Sequence, residues 1–230
     1  ETSGVLMMAS HKAQEVLNRL QYAKVTWRPH KNEIKTLSDF SYIRNLVRVD
    51  QIWEWLKCNH GDLLAVDSPH SFYKEAFTYK QLYEQIYKAA SAFQALGMKE
   101  GDTVALFSEN SPRWLIADQG VMLSGGADAV RGANTPSDEL KYILKDSGAV
   151  GLIVQNAELW KNLSLSNDQI KRLKFVIQIE GEPLEGVLGW ENFMSKSCRV
   201  KALDTINTNK SAEASESIAT ILYTSGTTGK

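Results

Sequence analysis

The chain has 230 residues, of which 43% are hydrophobic and 23% are charged, a composition typical of globular proteins. Its 26 basic and 27 acidic residues give a formal net charge of −1, so no long-range field favours nucleic acid as a partner. The apolar runs fall short of the ~18 residues that cross a bilayer. The two cysteines, Cys58 and Cys198, lie far apart in sequence, which predicts a reduced, intracellular chain.

Residues 1–60 carry the weakest pattern, and we interpret them as an N-terminal extension with helices. One helix is predicted over 11–20. A second is predicted over 49–58, because apolar residues recur there at helical spacing. The chain starts at Glu1 rather than methionine, so we expect it to be processed or incomplete, and a lost organelle-targeting segment stays open.

The next segment predicts a β-hairpin followed by a helix. Strands are predicted over 63–66 and 72–77. Thr78 and Gln81 have the spacing of a capping box, in which the two side chains cap the first turn of a helix. Gly97 has the position of a glycine that ends a helix in the left-handed conformation.

Short apolar runs then alternate with helical patterns. The runs are typical of buried parallel strands, and they cover 104–107, 127–130, 150–154 and 175–179. Strands that alternate with helices in this way predict right-handed βαβ units. We therefore predict an α/β fold with a mostly parallel sheet and flanking helices, and we assign it to an α/β subdomain over 61–202.

The helices between these strands have recognisable starts. Ser111-Pro112 and Thr135-Pro136 each place a hydroxyl N-cap before a proline at the first helical position. Gly148 is predicted to end the second of these helices. Weaker helical patterns cover 157–163 and 167–173.

The last part of the chain changes character. Residues 203–217 are rich in Asn, Thr, Ser and Glu, and we interpret them as a polar linker or loop. A strand is predicted over 218–223. Residues 218–230 would then hold this strand and the start of a loop that belongs to a truncated next subdomain.

The loop at 224–230 combines two glycines with four hydroxyl residues and a lysine. Glycine lets the backbone come close to a ligand, and successive N–H groups can then form a concave anion site. The hydroxyl groups add donors, and a lysine adds a positive charge for phosphate oxygens. The predicted phosphate-binding residues are Thr224, Ser225, Gly226, Thr227, Thr228, Gly229 and Lys230.

The loop is neither the standard P-loop of NTPases, which has four residues between its glycine and Gly-Lys, nor a dinucleotide fingerprint. Its string Tyr-Thr-Ser-Gly-Thr-Thr-Gly-Lys at 223–230 resembles the start of the phosphate-loop signature of the adenylate-forming, or AMP-binding, superfamily. The usual continuation through proline, lysine and glycine is missing. The resemblance extends in order over 61–230, and it is carried by the motifs at 77–82, 101–106 and 108–114.

Two further motifs, 114–120 and 129–132, resemble long-chain acyl-ACP synthetases of cyanobacteria and plastids. The resemblance implies a ligase that activates a long-chain fatty acid with ATP and Mg2+ to acyl-AMP. The acyl group would then pass to acyl carrier protein or coenzyme A. It also implies that this chain is the N-terminal part of the enzyme's large domain, in a plastid or the cytoplasm, with peripheral membrane contact left open.

In that family the catalytic lysine, the metal ligand and most of the acid pocket lie after this loop, so no catalytic residue is assigned here and we expect the chain to be inactive alone. Three other hypotheses for the function of the chain stay open: an enzyme for another carboxylic acid, a non-catalytic nucleotide-binding module, or an α/β scaffold fragment. Arg131 is predicted to form a structural ion pair, Asp118 to be a surface or capping charge, and Trp114 to pack in the core or at a domain interface.

Overall fold

The computed structural model of the chain describes residues 49–197 and 217–223. The chain divides into two compact units, Glu1–Asn45 and Leu46–Lys230, and every described residue belongs to the second. The helix predicted over 11–20 and most of the linker predicted over 203–217 lie outside the described residues. The division into an extension, a subdomain and a linker stays a prediction.

A helix and a hairpin open the described chain. A 3-10 turn at Val49–Gln51 leads into helix α1, Ile52–His60. Strand β1, Leu64–Ser68, pairs antiparallel with β2, Glu75–Thr78. The helix and the hairpin predicted from the sequence are confirmed, although both strands begin later than predicted.

Helix α2, Tyr79–Ala95, has the capping box that the sequence predicts. The Gln81 N–H donates to the Thr78 hydroxyl at 3.3 Å, and the Thr78 N–H donates to the Gln81 side chain at 2.9 Å. Gly97 follows the helix with a φ of +86°. This left-handed conformation costs a glycine little, so the chain can turn sharply into the next strand.

Within the described residues, the second sheet has six strands in the order β7-β6-β5-β3-β4-β8, and all neighbours are parallel. The strands are β3 (Thr103–Phe107), β4 (Ala127–Arg131), β5 (Gly151–Val154), β6 (Phe175–Gln178), β7 (Leu188–Gly189) and β8 (Thr220–Leu222). The helices after α2 are α3 (Pro112–Leu123), α4 (Ser137–Asp146), α5 (Ala157–Leu163), α6 (Asn167–Lys171) and α7 (Trp190–Ser195). The predicted α/β fold with a mostly parallel sheet is confirmed.

Two details of the prediction are wrong. Thr135 does not cap α4, because Pro136 has an extended backbone with a ψ of 137° and occupies the N-cap position itself. The helix therefore begins at Ser137, and Asp138 and Glu139 supply the negative charge that stabilises its first turn. The sequence analysis also missed β7 and α7, since a two-residue strand and a six-residue helix are too short to show a periodic pattern.

The sheet is covered on both faces, as a parallel sheet requires. Alternate residues of β3 point to opposite sides: Val104 and Leu106 pack with α2, α3 and α7, whereas Ala105 and Phe107 pack with α4 and α5. Each face has its own buried apolar cluster. Helices α2 and α3 lie especially close, since a Cβ on Gly120 would stand 2.8 Å from the Ala89 Cβ.

Arg113 joins the hairpin to the main sheet. Its Nε lies 2.8 Å from a Glu75 carboxylate oxygen, and its Nη2 lies 3.1 Å from Glu191. Its Nη1 donates to the Ile179 carbonyl at 3.2 Å, and the Tyr73 ring stacks 3.8 Å from the guanidinium carbon. One buried side chain thus connects β2, α3, the end of β6 and α7.

The connections between strands create a crevice at the carboxyl ends of β3 and β5. The chain leaves β3 for α3 on one face, and it leaves β5 for α5 on the other. Neighbouring parallel strands whose connections diverge in this way form a topological switch point, where ligands bind in open α/β sheets.

We expect Arg113→Met to destabilise the chain by about 3 kcal/mol, because the Glu75 carboxylate, whose side chain is 20% exposed, loses its cationic partner in a largely buried position. Urea denaturation measures the free energy of unfolding. The double variant Arg113→Met/Glu75→Leu should recover most of the loss, because both charges are then gone. Lys141→Met, which removes only the ion pair to an Asp138 side chain that is 98% exposed, is the control. An equal loss in the control and in Arg113→Met would contradict this role.

Candidate functional site

The predicted phosphate-binding residues follow β8 directly. Thr224, Ser225, Gly226, Thr227, Thr228, Gly229 and Lys230 lie outside the described residues, and their role stays a prediction. The strand that leads into them is described, and its Leu222 pairs with Val130 in β4. Since parallel strands share one direction, the chain leaves β8 at the same sheet edge as it leaves β3, β4, β5 and β6.

Arg131 holds the backbone at the point where this loop begins. Its Nη1 donates to the Tyr223 carbonyl at 2.9 Å, and its Nη2 forms an ion pair of 2.6 Å with Glu139 in α4. The ion pair predicted for Arg131 is confirmed. Its Nε is buried and has no hydrogen-bond partner within the described chain.

Tyr223 forms a second attachment to α4. Its hydroxyl donates to an Asp146 carboxylate oxygen at 2.9 Å, and its ring meets the Tyr142 ring edge-on with a centroid distance of 6.4 Å. Burial, followed by the hydrogen bond and the negative charge of Asp146, raises the pKa of Tyr223 to about 12. The phenol therefore stays neutral and keeps donating this bond at physiological pH.

These two attachments fix the direction in which the chain leaves the sheet. Arg131 holds the main chain of Tyr223, and Asp146 holds its side chain. A phosphate site built from backbone N–H groups depends on such a fixed entry, because each donor must be oriented before the anion arrives.

Asp118 and Asp128 are two buried carboxyl groups, and Asp128 lies in β4, the strand that pairs with β8. Asp128 in β4 is completely buried, and neither of its carboxyl oxygens has a hydrogen-bond partner among the described residues. Asp118 in α3 is only 7% exposed, so the prediction of a surface or capping charge is wrong. Burial and then the neighbouring Asp118 raise the pKa of Asp128 far above its usual range.

Asp118 is also hydrogen-bonded to Gln119, which in turn is hydrogen-bonded to Trp53 in α1. The Trp53 indole N–H donates to the Gln119 side-chain oxygen at 2.6 Å, and the Gln119 amide donates to Asp118 at 2.6 Å. Sequence reasoning missed Asp128. A signal was present in the sequence, since this aspartate interrupts an apolar run that is predicted to be a buried strand. Trp114 packs against the apolar cluster that α2, α3 and α7 form on one face of the sheet, as predicted.

The described residues hold no group of three or more His, Cys, Asp or Glu side chains that could bind a metal ion. None of the described helices has the length and apolarity that a membrane crossing requires.

Comparison with known proteins identifies related sequences. The model of a family described as AMP-binding enzyme matches residues 54–230. A chloroplastic long-chain-fatty-acid–acyl-carrier-protein ligase of Arabidopsis thaliana is 32% identical over 79% of this chain and 27% of its own length. A long-chain-fatty-acid–CoA ligase of Xenopus laevis is 29% identical over 80% of this chain and 25% of its own length. The chain thus spans about a quarter of the length of these relatives.

Solved structures show the same fold. A long-chain-fatty-acid–CoA ligase from Archaeoglobus fulgidus superposes with a TM-score of 0.61 at 22% identity, over 78% of this chain and 35% of that chain. An anthranilate–CoA ligase solved in complex with anthranoyl-AMP gives a TM-score of 0.58 at 22% identity, over 64% of this chain and 28% of that chain. These similarities establish the fold.

We expect Asp128→Asn to change how stability depends on pH. Burial raises the pKa of Asp128 above its value in the unfolded chain, so the folded chain binds more protons over this range and the free energy of unfolding of the wild type falls as the pH rises. The variant removes a slope of up to about 1.4 kcal/mol per pH unit, and it should be the more stable protein at pH 7. Urea denaturation from pH 4.5 to 8 measures this. Asp138→Asn, at an exposed aspartate, is the control, and parallel profiles for Asp128→Asn and wild type would contradict the assignment.

We expect Arg131→Lys to loosen β8 locally. A lysine cannot reproduce both the bond to the Tyr223 carbonyl and the ion pair to Glu139 in the same geometry. Amides between β4 and β8 should exchange about tenfold faster with solvent, which corresponds to about 1.4 kcal/mol of opening free energy. Hydrogen exchange followed by NMR measures the change. Arg172→Lys, at an exposed arginine that follows α6, is the control, and an even change over the whole sheet would argue against local anchoring.

Proposed function

Because residues 54–230 match its family model, the chain belongs to the AMP-binding enzyme family, and we propose that it is the N-terminal part of an ATP-dependent ligase for long-chain fatty acids. The observation that carries this proposal is the 32% identity with a plastid enzyme whose name states that reaction. The relatives join fatty acids to acyl carrier protein or to coenzyme A, and both remain candidate acceptors.

The proposed reaction has two steps. A fatty acid carboxylate attacks the α-phosphate of ATP, which forms acyl-AMP and releases pyrophosphate. A thiol then attacks the acyl carbon and displaces AMP. The first step concentrates negative charge on the departing pyrophosphate, so fixed donors and positive charges near the phosphates lower its barrier.

In this proposal the loop after β8 supplies those groups. The backbone N–H groups of 224–229 and the hydroxyls of Thr224, Ser225, Thr227 and Thr228 would bind the β- and γ-phosphates, and Lys230 would add a positive charge. Support comes from the fixed entry to the loop at Tyr223 and from the Arg131 guanidinium beside it. When bound, Mg2+ would neutralise further phosphate charge, and we expect its protein ligand in the part of the parent enzyme that follows Lys230.

We also propose a plastid location, because the chain resembles a ligase named as chloroplastic. Peripheral membrane contact is part of the same proposal, since long-chain acids partition into lipid. Because the relatives are about four times as long as the matched region, we propose that this chain alone lacks the groups needed for catalysis. No acid-dependent ATP–pyrophosphate exchange is then expected from the isolated chain.

The loop assignment is tested in the full-length parent enzyme. We expect Thr228→Ala and Lys230→Ala each to slow adenylate formation about 100-fold, because losing one preoriented contact to developing charge costs about 3 kcal/mol. ATP–pyrophosphate exchange measures the rate, and circular dichroism checks the fold. Lys171→Ala, at an exposed lysine in α6, is the matched control. Near-normal exchange in both loop variants would refute the role of the loop.

A further inference from the structure

Helix α4 carries three polar side chains that all contact the region where β8 ends. Glu139, Tyr142 and Asp146 follow one another at spacings of three and four residues, which places them on one side of the helix, and we call them the polar stripe of α4. Glu139 pairs with Arg131, and the other two contact Tyr223. The buried side of the same helix is apolar and consists of Leu140, Ile143 and Leu144.

Asp146 connects two tyrosines through its two carboxylate oxygens. Its Oδ2 accepts from the Tyr223 hydroxyl at 2.9 Å, and its Oδ1 accepts from the Tyr142 hydroxyl at 3.3 Å. The negative charge of Asp146 raises the pKa of Tyr142 above its ordinary value, so this phenol stays a donor at physiological pH. The Tyr223 side chain is thus held by a hydrogen bond at its hydroxyl and by the edge-on contact with the Tyr142 ring.

The position of Asp146 is unfavourable for the helix itself. Asp146 is the last residue of α4, where the negative end of the helix dipole disfavours a carboxylate. Glu139 lies in the first turn, where the same dipole favours a negative charge. Helix energetics therefore account for Glu139 and not for Asp146. A residue that breaks a local preference is expected where a function requires it.

Tyr223 links this stripe to the predicted phosphate-binding loop. It directly precedes Thr224, the first of the predicted loop residues, and its side chain packs against the apolar cluster that α4 and α5 form. The orientation of the Tyr223 peptide determines the direction in which the following N–H groups point. An error of about 1 Å in the placement of reacting groups can slow a reaction about 100-fold, so a fixed Tyr223 matters for donors that bind phosphate.

We propose that Asp146 and Tyr142 are positioning residues, which act through Tyr223 to orient the phosphate-binding loop for the formation of acyl-AMP. This inference rests on the proposed function of the chain. The loop is needed while pyrophosphate leaves, because negative charge develops there. The later attack of the thiol on acyl-AMP involves no pyrophosphate, so loss of the stripe should slow the first step alone. A role in folding alone would affect both steps.

Single-turnover kinetics of the full-length parent enzyme test the proposal. Formation of acyl-AMP is measured with saturating ATP and palmitate, and the second step is measured as AMP release from preformed palmitoyl-AMP with coenzyme A and with acyl carrier protein. We expect Asp146→Ala and Tyr223→Phe each to slow acyl-AMP formation about tenfold, which corresponds to about 1.4 kcal/mol. The second step should keep its wild-type rate in both variants.

Further variants separate positioning from a general disturbance. Tyr223→Phe/Asp146→Ala should also slow the first step about tenfold rather than 100-fold, because both substitutions remove the same hydrogen bond. Asp146→Asn keeps an oxygen that accepts from Tyr223, so it should retain most of the rate. Tyr142→Phe should cost about threefold, since its hydrogen bond is longer. Asp168→Ala, at an exposed aspartate in α6, is the matched control.

Three results would overturn this proposal and leave the proposed function intact. The first is a wild-type rate of acyl-AMP formation in Asp146→Ala and Tyr223→Phe, in an enzyme that Lys230→Ala slows. The second is equal slowing of both steps. The third is a 100-fold loss in the double variant, which would show that the two side chains act independently. A wild-type parent that forms no acyl-AMP would instead refute the proposed function, and this inference with it.

Discussion

The parallel pairing of β8 with β4 determines where the candidate phosphate loop can lie. Because Val130 and Leu222 are register partners, the end of β8 stands beside Arg131, and that arginine contacts both the Tyr223 backbone and α4. The direction of the loop therefore depends on a strand, a guanidinium and a helix that all come from the preceding α/β unit. The rest of that unit, including the ion-paired Arg113 and the two apolar clusters, keeps β4 in place.

Most of the fold could be predicted from the sequence because local signals agree with tertiary packing. Thr78 with Gln81 and Ser111 with Pro112 cap helices as their spacing indicates. Strands buried on both faces have continuous apolar runs, so β3, β5 and β6 could be predicted from the sequence. Pro136 shows the limit of predicting helix starts from sequence. Whether this proline takes the N-cap or the first helical position depends on its backbone angle ψ.

The candidate site was predicted only in part. A short glycine- and hydroxyl-rich string after a strand indicates phosphate binding by its chemistry alone, and the assignment of the loop residues, which stays a prediction, rests on that chemistry. Asp128 was not singled out, and Asp118 was predicted to be a surface or capping charge, since the importance of both comes from burial and from partners on other strands or helices. Such pairings are set by packing across the fold, which residue spacing along one element does not reveal.

The distance in sequence between β4 and β8 has a consequence for how the chain folds. Arg131 and Tyr223 are 92 residues apart, whereas β3, β4 and β5 follow one another closely. Closing so long a loop loses more chain entropy than forming the local βαβ units, so contacts between close neighbours in sequence should form first. During synthesis and refolding, β8 would then dock last, onto a sheet whose other strands are already assembled.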